Sequence, residues 1–202
     1  GTSTSTSTCV GRAATAGALR LGFVGIGTIN SAVVRGMCTS EGPPLQILVG
    51  PRNAAKAAAL ACQFPSQVRL AATNQEVLDG SDVVLLGTPG GADSLRDVCS
   101  TLRWRSHHHV ISLVAGARYE LLVELTQPAK TATIALPLPP AEWHASTTKV
   151  FPRNAEAEAL MERVGTVLTF DTFEQMVTLR YNCNRSASLS AVPFCGRTGA
   201  PL

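Results

Sequence analysis

The chain has 202 residues, 45% of them apolar and 15% charged, with a net charge of +3. That apolar share is enough to bury a core and excludes a wholly disordered chain; the length suits one large domain, or one domain with a fragment of another. The charge forms no basic stripe of the kind a nucleic-acid partner requires, and no apolar run approaches the roughly 18 residues of a membrane span.

Residues 1–17, GTSTSTSTCVGRAATAG, are low in complexity and read as a disordered leader. They are rich in Ser, Thr and Ala, with Arg12 and no acidic residue, a composition compatible with the remnant of an organelle-targeting sequence. Cytoplasm is the default expectation. The chain begins without Met and reads as a fragment or processed form.

From residue 19 onward, strand-like and helix-like runs alternate. LRLGFVG (19–25) is a buried strand ending in Gly, and TINSAVVRGM (28–37) a helix with Ile29, Val33 and Met37 on one face. PLQILVG (44–50), VRLA (68–71) and DVVLLGT (82–88) read as further strands. Between them AAKAAALACQF (54–64) and NQEVLDG (74–80) read as helices, the second closed by Gly80. GADSLRDVCSTLR (91–103) is an amphipathic helix, HVISLVAG (109–116) a strand, YELLVELT (119–126) a helix and TATIALPL (131–138) a strand. This alternation predicts an α/β fold with a mostly parallel, doubly wound sheet of Rossmann type. Past Pro140 the pattern changes. TTKVFP (147–152) and TVLTFD (166–171) read as edge strands around a helix over 155–165, 173–182 as the start of another helix, and the last twenty residues as irregular.

Six cysteines are scattered without a C-x-x-C pair, which reads as reduced thiols and no metal site. His107, His108 and His109 cannot all face one ion from a regular strand and read as a solvent-facing loop before a strand.

The stretch GFVGIGTIN (22–30) places Gly25 and Gly27 where a strand gives way to a helix. Gly25 permits a tight turn, and Gly27 lets a pyrophosphate approach the backbone at a helix N-terminus. Asn30 stands where the dinucleotide-binding motif carries its third glycine, a departure that bears on helix–strand packing rather than on the phosphates. About 20 residues downstream, where an acidic residue would select NAD, the chain has Gly50-Pro51-Arg52-Asn53. Arg52 and Asn53 suit the 2′-phosphate of NADP, so NADP(H) is the expected cofactor.

LRLGFVGIGTINSAVVRGM resembles the amino-terminal segment of pyrroline-5-carboxylate reductases. VGPRNAAKAAALA, AATNQEVLDGSDVVLLGTP and HVISLVAGARYELLVEL are similar to later segments of that family, in the same order, so the resemblance spans about residues 19–126. It implies an NADP-dependent oxidoreductase that transfers hydride to a cyclic imine in proline biosynthesis. It also implies a helical carboxyl-terminal domain that dimerises and forms much of the substrate pocket. By position, the resemblance puts Gly25, Ile26, Gly27, Thr28 and Ile29 on the pyrophosphate, and Arg52, Asn53 and Asn74 on the adenosine side. Gly87, Thr88, Pro89, Ala115 and Gly116 would line the path to the nicotinamide.

The chain departs from that family in two places. Leu136-Pro137-Leu138-Pro139-Pro140 lacks the polar residues of the family's Met-Pro-Asn-Thr-Pro-like element, and after residue 173 too little chain remains for the helical domain. The expected organisation is therefore a leader over 1–17, an NADP-binding domain over 18–172, and over 173–202 a remnant of the helical domain or an irregular tail. Tyr119, Glu142 and His144 are read as surface or capping residues, and no catalytic residue is assigned. Two other readings stay open: an NADP-binding module without turnover, and a relative of the β-hydroxyacid dehydrogenases, for which no matching catalytic Lys is visible. The expected partners are a nicotinamide cofactor and a small imine, with homo-oligomers in a full-length form.

Overall fold

The computed structural model describes residues 17–185. The readings for residues 1–16 and 186–202 lie outside the described residues. In chain order the elements are β1 (Leu19–Val24), α1 (Thr28–Thr39), β2 (Leu45–Val49), α2 (Ala54–Gln63), β3 (Val68–Leu70), α3 (Asn74–Asp79), β4 (Val83–Leu86) and α4 (Gly91–Cys99). Then come β5 (His109–Ser112), α5 (Tyr119–Leu125), β6 (Thr131–Leu136), a 3₁₀ turn (Pro139–Trp143), β7 (Ser146–Phe151), α6 (Ala155–Glu162), β8 (Gly165–Thr169) and α7 (Phe173–Arg185).

All eight strands join one sheet in the order β3-β2-β1-β4-β5-β6-β7-β8. Every pairing is parallel except that of β6 with β7. This is the doubly wound α/β arrangement of Rossmann type, with the strand order reversing between β1 and β4. Side chains on the two faces of the sheet feed two cores. Leu21 and Phe23 of β1 pack with Val33 and Met37 of α1, Leu60 of α2 and Met161 of α6. Val24 and Leu86 pack on the other face with Val77 and Leu78 of α3, Leu95 of α4, Leu122 of α5 and Met176 of α7. Each large apolar side chain fully buried this way contributes about 1.5–3 kcal/mol. Gly22 sets how closely α3 lies on the sheet, because a Cβ there would meet Val77 Cγ1 at 2.6 Å.

Helix starts follow local chemistry. Thr73 Oγ1 accepts from the Glu76 N–H at the start of α3, while Asn154 Oδ1 accepts from the N–H groups of Glu156 and Ala157 at the start of α6. Among the described residues no helix is long and apolar enough to cross a membrane.

Several boundaries differ from the sequence reading. The helix expected over 91–103 ends at Cys99, where the hydroxyls of Ser100 and Thr101 turn back onto the carbonyls of Asp97 and Val98. The strand over 109–116 stops at Ser112, opposite Leu86, the last residue of β4. Residues 147–152 do not form an edge strand: β7 pairs with β6 on one side and β8 on the other. A 3₁₀ turn is too short for a helical crossover, so β7 returns antiparallel to β6, and α6 then carries the crossover to β8. α7 continues to Arg185, three residues into the stretch expected to be irregular.

One histidine of the triplet is also corrected: His109 begins β5, as the strand expected from 109 requires, and His107 is exposed, but His108 is fully buried. Its Nδ1 accepts from the Arg105 backbone N–H at 3.1 Å, so the proton sits on Nε2, which donates to the Leu78 carbonyl at 3.1 Å. Only the neutral ring satisfies both partners. Burial, and then the neighbouring His107, hold its pKa below the ordinary 6.5. Below pH 6.5 the unfolded chain therefore takes up a proton that the folded chain resists; this contribution is complete above that pH and is lost as pH falls through the folded value. Thermal unfolding followed from pH 7.5 down to about pH 5 will show stability decreasing, and His108→Gln, which does not titrate, will flatten part of that slope. Parallel curves for the two proteins would contradict this account.

Candidate cofactor site

A cleft of about 330 Å³ opens at the carboxyl ends of β1 and β4, at the point where the strand order reverses. Ten of the thirteen residues named from the sequence line it: Gly25, Ile26, Gly27, Thr28, Ile29, Arg52, Asn53, Gly87, Thr88 and Pro89. Asn30 and Leu113 complete the lining. Three named residues lie elsewhere. Asn74 is wedged behind the β2–α2 turn, where a Cβ on Gly50 would meet its Oδ1 at 2.7 Å. Ala115 and Gly116 are exposed beyond β5 and do not line the cleft.

Close packing of backbone against side chain builds the turn from β1 to α1. Gly25 has φ +87°, and a Cβ there would run into the Gly87 carbonyl oxygen. Asn30, 2% exposed, donates from Nδ2 to the Gly25 carbonyl at 2.5 Å, and its amide fills the space a Cβ on Gly87 would need. Asn30 thus braces the turn, and the need for a small residue passes to Gly87 on the neighbouring strand.

α1 opens toward the cleft. Gly27 caps it without a side-chain bond, and its first turn has no acidic residue. The helix dipole and the early N–H groups therefore favour an anion at this end. A Cβ on Gly27 would meet nothing within 4 Å, so the cradle is open at the position a pyrophosphate would occupy. At the end of β2, Asn53 adopts a left-handed conformation (φ 66°), and its Oδ1 accepts from the Lys56 N–H at 3.4 Å. Arg52 is exposed beside it and makes no ion pair among the described residues. Lys56, which the sequence reading passed over, adds a second exposed cation in the first turn of α2. The Arg-Asn-x-x-Lys spacing was the available signal.

Two buried side-chain oxygens near the cleft lack a partner among the described residues: Thr88 Oγ1, on a lining residue, and Asn74 Oδ1, behind Gly50. Orphaned acceptors are costly unless a ligand or water satisfies them. The open cradle, the anion-favouring helix end and the exposed Arg52 in the lining all fit a phosphorylated dinucleotide.

Residues 20–116 match the family described as NADP oxidoreductase, coenzyme F420-dependent. The match takes in the glycine turn, the 52–53 loop and the ends of β4 and β5, which are the cleft-lining segments. No curated protein matches the chain in sequence. Among solved structures, the chain is similar to 1-pyrroline-5-carboxylate reductase from Streptococcus pyogenes, at 20% identity and a TM-score of 0.61 over 78% of this chain and 60% of that one. It is similar to the Plasmodium falciparum pyrroline carboxylate reductase with NADP bound, at 15% identity and a TM-score of 0.61 over 83% of this chain and 64% of that one. A reductive aminase from Aspergillus terreus in complex with NADPH and ethyl-5-oxohexanoate has 14% identity and a TM-score of 0.65 over 83% of this chain and 61% of that one. The chain thus spans less than two thirds of the length of each, and at these identities the likeness is one of fold.

The other polar candidates lie outside the cleft. Tyr119 packs edge-on against Phe151, Glu142 pairs with Arg35 at 3.5 Å, and His144 Nε2 lies 2.9 Å from the Gly36 carbonyl. Burial pushes the thiols of Cys38 and Cys99 up to about 12, so both stay protonated and unreactive at neutral pH. Among the described residues no group of three or more His, Cys, Asp or Glu is placed to hold a metal ion.

The brace makes a non-additive prediction. Gly87→Ala alone will destabilise the chain by about 1–3 kcal/mol through overpacking against Asn30. Asn30→Ala alone will cost about 1–3 kcal/mol by stranding the Gly25 carbonyl. The double variant will be more stable than the sum of the two losses implies, because the shortened residue 30 makes room for the new Cβ. Urea unfolding of all four proteins measures this, and simple additivity would contradict the geometry.

Proposed function

We propose that this chain binds NADPH in the β1–β4 cleft and belongs to an enzyme that reduces the carbon–nitrogen double bond of a cyclic imine. The observation that carries this reading is the placement in one cleft of an uncapped helix N-terminus beside an open Gly27 and of Arg52 just past the end of β2, with Lys56 following in the first turn of α2 outside the lining. The backbone of residues 25–29 would hold the pyrophosphate, and Arg52, Lys56 and Asn53 the 2′-phosphate. The nicotinamide end would extend along Gly87, Thr88 and Pro89 toward Leu113. Bound there, the cofactor supplies the hydride. Leu113 and Pro89 would give that end an apolar wall, and Thr88 has a hydroxyl to spend on a ligand.

The finer reading is pyrroline-5-carboxylate as the imine and proline as the product, with residues 18–172 as the cofactor domain and 173–202 as the opening of a helical domain that dimerises. It is supported by the ordered resemblance over residues 19–126 and by the fold shared with reductases of that name. One observation favours the alternative of binding without turnover: among the described residues, Arg52 is the only ionisable side chain lining the cleft, so these residues bring no acid to protonate the imine nitrogen.

Fluorescence titration with NADPH and NADH tests the cofactor assignment. Arg52→Ala will weaken NADPH binding about 10- to 100-fold and leave NADH binding nearly unchanged, and Lys56→Ala will act in the same direction by about 3- to 10-fold. NADPH oxidation with added pyrroline-5-carboxylate then separates the two readings. Turnover supports the reductase, binding without turnover supports the module, and failure to bind NADPH contradicts both.

A further inference from the structure

A second cavity, of about 530 Å³, lies at the opposite edge of the sheet. Its walls are the amino ends of β1, β4 and β5 and one face of α6, and the α1–β2 loop closes one end. Leu19 on its wall and Gly25 in the cofactor cleft stand at opposite ends of β1, about 20 Å apart at ~3.3 Å per residue. The floor is apolar, formed by Leu19, Val83 and Leu160.

Most charges around this trough are already engaged. Asp82 pairs with Arg20, and Glu156 with His109. Two are not. Arg163 donates from Nε to Ser40 Oγ at 2.8 Å and from Nη1 to the Pro43 carbonyl at 3.0 Å. These bonds fix the guanidinium at the loop end of the trough and leave Nη2 without a hydrogen-bond partner among the described residues. Glu41, exposed on the same loop, has neither a hydrogen bond nor an ion pair among the described residues, and it does not pair with Arg163. One cation and one anion thus face the same end of an apolar trough without neutralising each other. A held guanidinium recognises a carboxylate, and a carboxylate recognises an ammonium group.

We propose that this trough binds a free α-amino acid with an apolar side chain: its carboxylate on Arg163, its ammonium group on Glu41, and its side chain over Leu19, Val83 and Leu160. The site is independent of the cofactor cleft and of the reductase reading. It has the size and the mostly apolar lining, with a few convergent polar groups, of a small-molecule pocket.

Calorimetric titration of the 202-residue chain with L-leucine, L-leucinamide and N-acetyl-L-leucine tests the proposal. L-leucine will bind. Leucinamide, lacking the carboxylate, and N-acetyl-leucine, lacking the ammonium group, will each bind about tenfold more weakly or worse. Glu41→Gln alters an exposed side chain that supports nothing in the fold; it will weaken leucine about tenfold and leave N-acetyl-leucine unchanged. Ala159→Leu, placing bulk in the trough from an exposed helix position, will also weaken leucine. No heat with leucine, equal affinity for the three compounds, or unchanged leucine affinity in Glu41→Gln would overturn the proposal.

Discussion

The site depends on one contact, where the Asn30 amide sits between the Gly25 carbonyl and the Gly87 backbone. Everything around the cleft is positioned from there. The bond fixes the angle at which α1 leaves β1, and that angle aims the helix N-terminus across the end of the sheet. The same amide limits how the chain can leave β4, because only glycine fits at position 87 beside it. Position 30 is the third residue of α1, so a single side chain ties the strand end, the helix start and the neighbouring strand together. A glycine at position 30 would allow close packing; Asn30 replaces that freedom with a buried hydrogen bond. The cost is a stringent requirement on Gly87.

The sheet separates two chemical environments. At its carboxyl edge, parallel strands end in turns whose glycines and free N–H groups favour an anion, with Arg52 and Lys56 at one side. At its amino edge, engaged pairs such as Arg20–Asp82 and His109–Glu156 surround an apolar trough. The hydrogen bond from Arg20, with its charge, holds the Asp82 carboxyl below the usual carboxylate range, so the pair persists through neutral pH. Both ion members are well exposed, so this pairing shapes the edge more than it stabilises the fold.

Much of this was legible in the sequence because parallel strands buried on both faces read as continuous apolar runs. Val83–Leu86 is the clearest case, and the glycines after β1 and β4 mark where the chain must turn. The cleft residues followed, since a strand–glycine–helix order places them without knowledge of long-range contacts. What stayed illegible depends on partners far along the chain. The role of Asn30 rests on Gly87, and the burial of His108 on the Leu78 carbonyl. The interior place of β7 follows from a 3₁₀ turn whose prolines, read alone, only signal a loop. Asn74 was placed correctly on its helix, yet the side chain turns behind Gly50 rather than into the cleft.

The most direct test of the cofactor cleft is Gly27→Val. Gly27 has φ −90° and open space where a Cβ would stand, so the substitution is tolerated by the fold but fills the cradle at the start of α1. NADPH affinity and urea stability measured on the same samples give two independent readings. NADPH affinity will fall about a hundredfold or more, with stability changed by less than about 1 kcal/mol. Unchanged NADPH affinity in a folded Gly27→Val protein would contradict the cofactor assignment.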